Sequence, residues 1–186
     1  MTPIPHNAAL ILVDVQQAWD DPFWGRRNNP EAETNIATLL HAWRETGRPV
    51  FIIQHLSRIP NSPLRPGAPG CELKDIVRPL DGEPVLQKRV HSAFIGTNLE
   101  ERLRQAEITT VFTAGFMTNH CVETTTRMAS DLGFHAHLVS DAAATFDRKG
   151  PDGVLHTAEE IHAMTLTNLY QDFATIVTTE EVLREL

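Results

Sequence analysis

A cysteine stands at a point in the chain where its sulfur could act as a nucleophile. Cys121 lies in the stretch Thr113-Ala-Gly-Phe-Met-Thr-Asn-His-Cys-Val-Glu-Thr-Thr, where an apolar, strand-like run breaks at Gly115 and a helical pattern resumes just before the sulfur. A thiol in the first turn of a helix lies near the positive end of the helix dipole and near backbone N–H groups, which favour the thiolate. Most free cysteines are instead small buried apolar residues, so further residues must support a catalytic role.

Two charged residues provide that support, because each lies in or beside an apolar segment. Asp14 follows the run Ala8-Ala-Leu-Ile-Leu-Val, and Lys88 interrupts Pro84-Val-Leu-Gln-Lys-Arg-Val. Charges so close to a core are costly unless they are paired. Amide hydrolysis needs a nucleophile, a proton carrier and a group that stabilises the tetrahedral oxyanion. The three residues therefore indicate a cysteine-dependent enzyme.

His120 offers a competing Cys-His arrangement, which we reject. Consecutive helical residues project about 100° apart, so His120 is poorly placed to deprotonate Cys121. We expect a surface or capping role for His120. Asn119 or Thr118 is the expected N-cap of this helix.

Composition and charge limit the classes of protein to consider. The 186 residues fit one domain over 1–186, with 41% hydrophobic residues, and the formal net charge of -8 argues against a nucleic-acid or anionic-membrane partner. No apolar run approaches the ~20 residues of a membrane span, and the first residues do not resemble a signal peptide. Cys71 and Cys121 are too few for a disulfide framework. We therefore expect a cytoplasmic protein.

Short apolar runs alternate with helical patterns along the chain. The strand-like runs fall at about 8–13, 49–53, 109–114, 134–140 and 174–178. Helical spacing occurs over 31–46, 98–105, 119–132 and 155–173. This alternation predicts an α/β fold, a three-layer doubly wound sandwich with a mostly parallel central sheet. Functional groups in such folds lie at the carboxyl ends of strands, where Asp14 and the turn before Cys121 both fall.

Two segments depart from this alternation. Residues 54–84 carry six prolines and three glycines, and an irregular connection of this length is typically a lid or a binding loop. Residues 19–30 follow Asp14 and carry three large aromatic residues, Trp19, Phe23 and Trp24. These aromatics either anchor the loop or contact a ligand near Asp14.

Four blocks of the sequence resemble the isochorismatase-like cysteine hydrolase family. They are Leu10-Ile-Leu-Val-Asp-Val-Gln-Gln, Lys88 followed by His91-Ser-Ala-Phe-Ile-Gly-Thr-Asn-Leu, Gly115-Phe-Met-Thr-Asn-His-Cys-Val-Glu-Thr-Thr, and Asp141-Ala. The blocks appear in the family's order and spread over residues 8–145, and the segment to about 178 is also similar. The resemblance implies a catalytic triad of Asp14, Lys88 and Cys121.

General chemistry assigns a role to each member of that triad. We expect Asp14 to accept the thiol proton and to deliver it to the leaving amine, while Lys88 holds Asp14 and favours both anions. Cys121 attacks the carbonyl carbon, and water activated by Asp14 hydrolyses the thioester. The resemblance further implies a cis peptide between Phe116 and Met117, and an oxyanion hole made by the backbone N–H groups of Met117 and Cys121.

The sequence departs from the metal-binding members of the family. Nicotinamidases that resemble it carry an Asp-x-His pattern after the second strand and a further His downstream. This chain has Phe51-Ile-Ile-Gln-His-Leu-Ser-Arg there, and no His lies between residues 56 and 90. His55 alone is a weak ligand set. We therefore predict no metal and no other cofactor, and we place nicotinamide low among the expected substrates.

The presence of the thiol favours cleavage of a C–N bond. Isochorismatases that hydrolyse a vinyl ether carry another residue at the cysteine position, so vinyl ether hydrolysis is the alternative, together with a non-catalytic member of the family. The expected substrate is a small amide, ureido or carbamoyl compound. The resemblance also implies a homodimer or a homotetramer. Candidates for the pocket wall are Trp19, Phe23, Trp24, His55, Phe94 and Met117.

Overall fold

Six parallel strands form one central sheet. The structure is a computed structural model that describes residues 3–186. The six strands are β1 (Ala9–Val13), β2 (Val50–His55), β3 (Val85–Lys88), β4 (Thr110–Phe116), β5 (His135–Ala144) and β8 (Thr175–Val177). Their order across the sheet is β3-β2-β1-β4-β5-β8. A separate antiparallel pair consists of β6 (Arg148–Lys149) and β7 (Leu155–His156).

Helices cover both faces of the sheet and complete a three-layer sandwich. They are α1 (Ala32–Glu45), α2 (Leu99–Gln105), α3 (Glu123–Asp131), α4 (Ala158–Leu169) and α5 (Thr179–Glu185). Buried residues of α1 and α5 belong to one apolar core cluster, and buried residues of α2, α3 and α4 belong to the other. The predicted fold class is confirmed.

The central strand β1 shows why the sheet has two cores. All five of its residues are buried, and successive side chains point to opposite faces of a strand. Leu10 and Leu12 accordingly lie in the α1 core, whereas Ile11 and Val13 lie in the α3 core. A strand buried on both faces reads as a continuous apolar run, which is the pattern that the sequence shows.

Side-chain caps explain where the structure departs from the predicted helices. The helix predicted over 155–173 begins only at Ala158, because Thr157 and Glu160 form a capping box that fixes its first residue. The sequence analysis missed α5, which begins with a second capping box of Thr178 and Glu181. Asp141 also holds this end, since its Oδ1 accepts hydrogen bonds from the N–H and Oγ1 of one residue, Thr179, at 2.8 Å each.

The proline-rich segment 56–84 packs onto the domain through polar contacts. The backbone carbonyl of Cys71 accepts from Gln16 Nε2 at 2.7 Å and from Gln54 Nε2 at 2.9 Å. Lys74, which is 9% exposed, pairs with Asp20 and lies 3.2 Å from Glu33 of α1. The segment is therefore fixed beside the carboxyl ends of β1 and β2.

None of the helices among residues 3–186 has both the length and the apolar character needed to cross a bilayer.

The carboxyl ends of β1 and β4 approach each other closely at a glycine. Gly115 pairs with Val13, the register of β4 against β5 shifts at this point, and the φ angle of Gly115 is 124°. A Cβ atom there would lie 2.0 Å from the carbonyl oxygen of Val13. Only glycine fits this approach, which brings the residues after β1 next to those after β4.

We expect Gly115→Ala to lower the free energy of unfolding by about 3 kcal/mol or more, because it adds a clash between two central strands to a strained φ angle. Urea denaturation measures the loss. Gly133→Ala is the matched control: its φ angle is 88° and no atom lies within 4 Å of the added Cβ, so it should cost only about 1 kcal/mol. Equal losses in the two variants would contradict the close approach.

Candidate active site

Asp14 lies one residue beyond the carboxyl end of β1 with its backbone in the left-handed region. Its φ angle is 53°, a conformation that residues other than glycine adopt at a cost. Its N–H donates to the carbonyl of Ile53 at 3.0 Å, and its carbonyl accepts from the N–H of Gln16 at 2.9 Å and from Trp19 Nε1. These bonds hold the strained residue in place and turn its side chain away from the strand.

The ammonium group of Lys88 is buried and fully hydrogen-bonded. Lys88 ends β3 and is 1% exposed. Its Nζ lies 2.7 Å from Asp14 Oδ2, 3.1 Å from the carbonyl oxygen of Val90 and 3.2 Å from His55 Nδ1. An ammonium group has three N–H donors, and each has one acceptor here. The buried charge is therefore both neutralised by Asp14 and fixed in position.

Cys121 lies near Asp14 because β4, which precedes it, is the neighbour of β1 in the sheet. It lies in a π-helical turn, Thr118–Val122, that follows β4 and leads into α3. Its sulfur, a carboxylate oxygen of Asp14 and a ring nitrogen of His55 all lie within 4.8 Å of one another. The sequence predicted that Asp14, Lys88 and Cys121 lie close together, and the structure brings them together. The peptide bond between Phe116 and Met117, just before this turn, is cis.

The turn that carries Cys121 is held by buried polar side chains. Thr118 Oγ1 lies 2.9 Å from Nδ1 of His162, and Asn119 Oδ1 accepts from Thr145 Oγ1 at 2.6 Å. The prediction that Thr118 or Asn119 caps the helix was wrong, because both side chains bind neighbouring elements instead and Met117 precedes the turn without a side-chain cap. The nucleophile candidate is positioned from α4 and from the end of β5.

The electrostatics of the thiol differ from the sequence-based expectation. Burial, followed by the charge of Asp14, raises the pKa of the Cys121 thiol, and Lys88 only partly opposes this. The expected stabilisation of a thiolate by a helix end is therefore wrong for the resting site, because desolvation and a neighbouring carboxylate outweigh it. The proton stays on the sulfur until a base removes it.

Asp14 is placed to be that base. Burial raises the pKa of its carboxyl, while the charge and hydrogen bond of Lys88 and the neighbouring Cys121 thiol act in the opposite direction. Lys88 occupies Oδ2, and Oδ1 has no hydrogen-bond partner among the described residues. A carboxylate with a raised pKa is a stronger base, and its free oxygen can take the thiol proton.

His55 supports Lys88 rather than forming part of a metal site. Gln16 fixes its backbone, since Oε1 accepts from His55 N–H at 2.8 Å and Nε2 donates to His55 carbonyl at 3.0 Å. Burial, and then the charge of Lys88, lowers the pKa of His55 to about 4. Asp14, His55 and Cys121 have a spacing that could suit a metal ion, but the Lys88 ammonium already contacts two of these three groups. The residues do not fit a metal ion.

The aromatic residues predicted to line a pocket have different environments. Trp19 is 5% exposed, and its ring stacks on that of Phe116 with 5.9 Å between the centroids. It therefore supports the site by packing and by its hydrogen bond to the Asp14 carbonyl. Trp24 packs on Trp19 and donates Nε1 to Ala18 carbonyl, whereas Phe23 is 74% exposed. Trp24 thus packs on both Trp19 and Phe23, and within residues 3–186 the aromatic and hydrogen-bond partners of these three side chains do not include Cys121.

Phe94 and Met117 are two further residues predicted to line the pocket. Both are 9% exposed, and Phe94 belongs to the same apolar cluster as Cys121 and stacks on Phe134 at 6.1 Å. Met117 directly precedes the π-helical turn, and its carbonyl accepts from the N–H groups of His120 and Val122 at 3.0 and 3.3 Å. The two side chains can present an apolar surface to a substrate, so their predicted role stays a prediction.

Three basic residues contact one another at the turn that carries Cys121, and the sequence predicted a catalytic or binding role for none of them. His120 Nε2 lies 2.6 Å from Arg148 Nη1 of β6, and the His120 ring lies 6.0 Å from the ring of His91. Of the surface or capping role expected for His120, the capping part is wrong: the side chain is half-buried and contacts Arg148 and His91. His91 stands in one of the blocks quoted above and could have been noticed; no pattern in the sequence connects Arg148 with this edge.

Comparison with known proteins agrees with this geometry. The model of the isochorismatase domain matches residues 8–181. The isochorismatase family protein YrdC of Bacillus subtilis is 49% identical over 95% of this chain and 95% of its own length. The crystal structure of an isochorismatase-family protein from Chromobacterium violaceum has a TM-score of 0.94 at 42% identity, covering 100% of this chain and 97% of that one.

Two relatives have names that state an activity. Nicotinamidase 3 of Arabidopsis thaliana is 29% identical over 96% of this chain and 88% of its own length. N-carbamoylsarcosine amidase of an Arthrobacter species is 31% identical over 69% of this chain and 56% of its own length. Both names describe hydrolysis of an amide-type bond.

We expect Lys88→Met to lower the free energy of unfolding by about 3 to 5 kcal/mol at pH 7, because it leaves the Asp14 carboxyl buried without its cation. The double variant Asp14→Leu/Lys88→Met removes both charges and should recover much of that loss. Urea denaturation compares the variants. Arg184→Met, which breaks an exposed ion pair with Glu180, should cost less than about 0.5 kcal/mol. A double variant less stable than the single one would contradict the argument.

The depressed pKa of His55 predicts a loss of stability in acid. Above pH 6.5 His55 is neutral in both the folded and the unfolded chain. Between pH 6.5 and about 4, His55 binds a proton in the unfolded chain but stays neutral in the folded chain. The free energy of unfolding therefore falls as the pH falls through this range. We expect His55→Gln to flatten this dependence in urea denaturation at pH 7, 6 and 5. Exposed His41→Gln serves as the control, and an unchanged slope in His55→Gln would refute the assignment.

Proposed function

The chain belongs to the isochorismatase family, and we propose that it hydrolyses the C–N bond of a small amide, ureido or carbamoyl compound through a thioester on Cys121. Family membership makes it a hydrolase. The C–N cleavage proposal rests on one observation: a buried carboxyl, a buried ammonium group and a buried thiol lie close together. Lys88 Nζ lies 2.7 Å from Asp14 Oδ2, and the Cys121 sulfur lies within 4.8 Å of an Asp14 carboxylate oxygen. No cofactor is required for this chemistry.

The first half of the reaction forms the thioester. Asp14 Oδ1 takes the proton of Cys121 as the sulfur attacks the carbonyl carbon, so that an S–C bond forms and the C=O electron pair becomes an oxyanion. The backbone N–H groups of Met117 and Cys121 are the proposed donors to that oxyanion. As the intermediate collapses, the C–N bond breaks and Asp14 returns its proton to the leaving nitrogen.

The second half reverses these roles with water as the nucleophile. Asp14 Oδ1 removes a proton from water, the oxygen attacks the thioester carbon, and the C–S bond breaks as the proton passes to the sulfur. The acid leaves and the thiol is restored. One carboxyl therefore carries a proton in both halves, which suits a group whose second oxygen is permanently occupied by Lys88.

Lys88 acts in this scheme as a fixed charge. Its three donors are all used by Asp14, His55 and Val90, so it neither gives nor takes a proton. Its charge opposes the rise in pKa that burial causes at Asp14 and at Cys121. His55 is a positioning residue, because its Nδ1 accepts one Lys88 proton and fixes where the ammonium points.

The relatives support C–N cleavage without fixing the substrate. N-carbamoylsarcosine amidase and nicotinamidase both act, by name, on compounds with a carbonyl–nitrogen bond. The proposed homodimer or homotetramer would let a neighbouring subunit complete the wall of the site, where the thiol is 8% exposed. The alternative of vinyl ether hydrolysis needs an acid such as Asp14 but no thiol, and a non-catalytic protein needs neither.

We expect Cys121→Ala to fold normally and to lose at least about a thousandfold in turnover, because the nucleophile is gone while Asp14 and Lys88 remain paired. The assay measures release of ammonia, amine or acid from a panel of amides, ureides and carbamates, with intact mass of the wild-type enzyme to detect an acyl adduct. Cys71→Ala, which removes the other thiol, is the control and should retain activity.

Turnover retained in Cys121→Ala but lost in Asp14→Asn would exclude the thioester and favour the vinyl ether alternative. Absence of product from the whole panel with wild-type protein would favour a non-catalytic member of the family.

A further inference from the structure

Three basic side chains face one another beside the nucleophile. Arg148 Nη1 lies 2.6 Å from His120 Nε2, and the rings of His120 and His91 meet edge to face at 6.0 Å. A guanidinium only donates hydrogen bonds, so His120 Nε2 must accept and His120 is neutral with its proton on Nδ1. Burial, and then the charges of Arg148 and His91, lowers the pKa of His120 to about 4. We call these three residues the basic cluster.

The basic cluster has no matching carboxylate among the described residues. Arg148 is exposed and forms no ion pair in residues 3–186. Of the two carboxylates nearest to it in sequence, Asp147 binds Arg26, and Asp152 accepts from the N–H of Val154 at 3.0 Å. On a chain with a formal net charge of -8, an exposed guanidinium without an acidic partner among the described residues creates a local positive potential that attracts anions.

The basic cluster lies beside the segments that carry the catalytic candidates. His120 directly precedes Cys121 in the chain. His91 is exposed and follows Val90, whose carbonyl accepts a hydrogen bond from Lys88 Nζ at 3.1 Å. A molecule that approaches the sulfur from the side of His91 therefore meets two imidazole rings and the Arg148 guanidinium.

We propose that His91, His120 and Arg148 bind a carboxylate of the substrate, so that the preferred substrates are amides, ureides or carbamoyl compounds that carry a negative charge. Arg148 supplies the N–H donors that match a carboxylate. Neutral His120 orients its guanidinium by accepting one N–H, and His91 adds a second donor. Lys88 is not available for this role, because its three donors are occupied. This inference rests on the proposed function of the same site.

Two alkylating reagents of nearly equal size test the site without a known substrate. Iodoacetate carries a carboxylate and iodoacetamide is neutral, and both label a thiol by displacing iodide. The measurement is the ratio of their rate constants at Cys121, followed by peptide mass. A change in the reactivity of the thiol itself affects both reagents and cancels in the ratio.

We expect Arg148→Gln to lower the iodoacetate-to-iodoacetamide ratio about tenfold, as removal of one nearby charge would do. Lys149→Gln is the matched control. It removes the same charge from the next residue, which is also exposed, but its side chain points to the opposite face of the two-stranded ribbon. It should change the ratio less than about twofold. Added salt should reduce the wild-type preference.

An equal ratio in wild type and Arg148→Gln, equal effects of the two substitutions, or no labelling of Cys121 by either reagent would each overturn the proposal. A turnover comparison separates it from the proposed function. N-carbamoylglycine should be preferred over its methyl ester by wild type and not by Arg148→Gln. Hydrolysis of amides without a preference for the acid would contradict only the carboxylate site. A selective alkylation ratio without any hydrolysis would contradict only the proposed amidohydrolase activity.

Discussion

The buried ion pair between Lys88 and Asp14 is the interaction on which the rest of the site depends. Neither charge is stable in the core without the other, and Lys88 is satisfied only because three acceptors from three segments converge on its nitrogen. Those segments are the ends of β1 and β2 and the turn after β3. The parallel sheet places these ends at one edge, and Gln16 and Trp19 fix them there. The ion pair thus ties the chemistry to the strand order of the fold.

That pair also explains how a thiol with a raised pKa can serve as a nucleophile. Burial keeps the proton on Cys121, and the same burial makes Asp14 a stronger base than an exposed carboxylate. With Lys88 on one oxygen, the other faces the thiol free of competing donors. The nucleophile is then generated when a carbonyl group arrives, rather than being present as a thiolate that would react with any electrophile.

The proposals divide the site into an inner part for reactivity and an outer part for recognition. The inner part is buried and its hydrogen bonds are internal. The basic cluster is partly exposed and has no acidic partner within residues 3–186, so a carboxylate of a ligand could bind there. Such a division lets one set of catalytic residues serve relatives with different substrates, since residues such as Arg148 can vary without disturbing the ion pair.

The amino-acid sequence is enough to predict the parallel α/β fold, five of the six central strands and the three residues that meet at their ends. Burial on both faces leaves continuous apolar runs, and charges beside such runs must be paired. It missed α5, whose signal is a capping box rather than a long apolar stripe. Three features became visible only in the folded chain: burial outweighs the helix end at Cys121, His55 contacts Lys88, and Arg148 contacts His120. These features depend on desolvation and on contacts between residues far apart in the chain. Neither can be inferred from a short stretch of sequence.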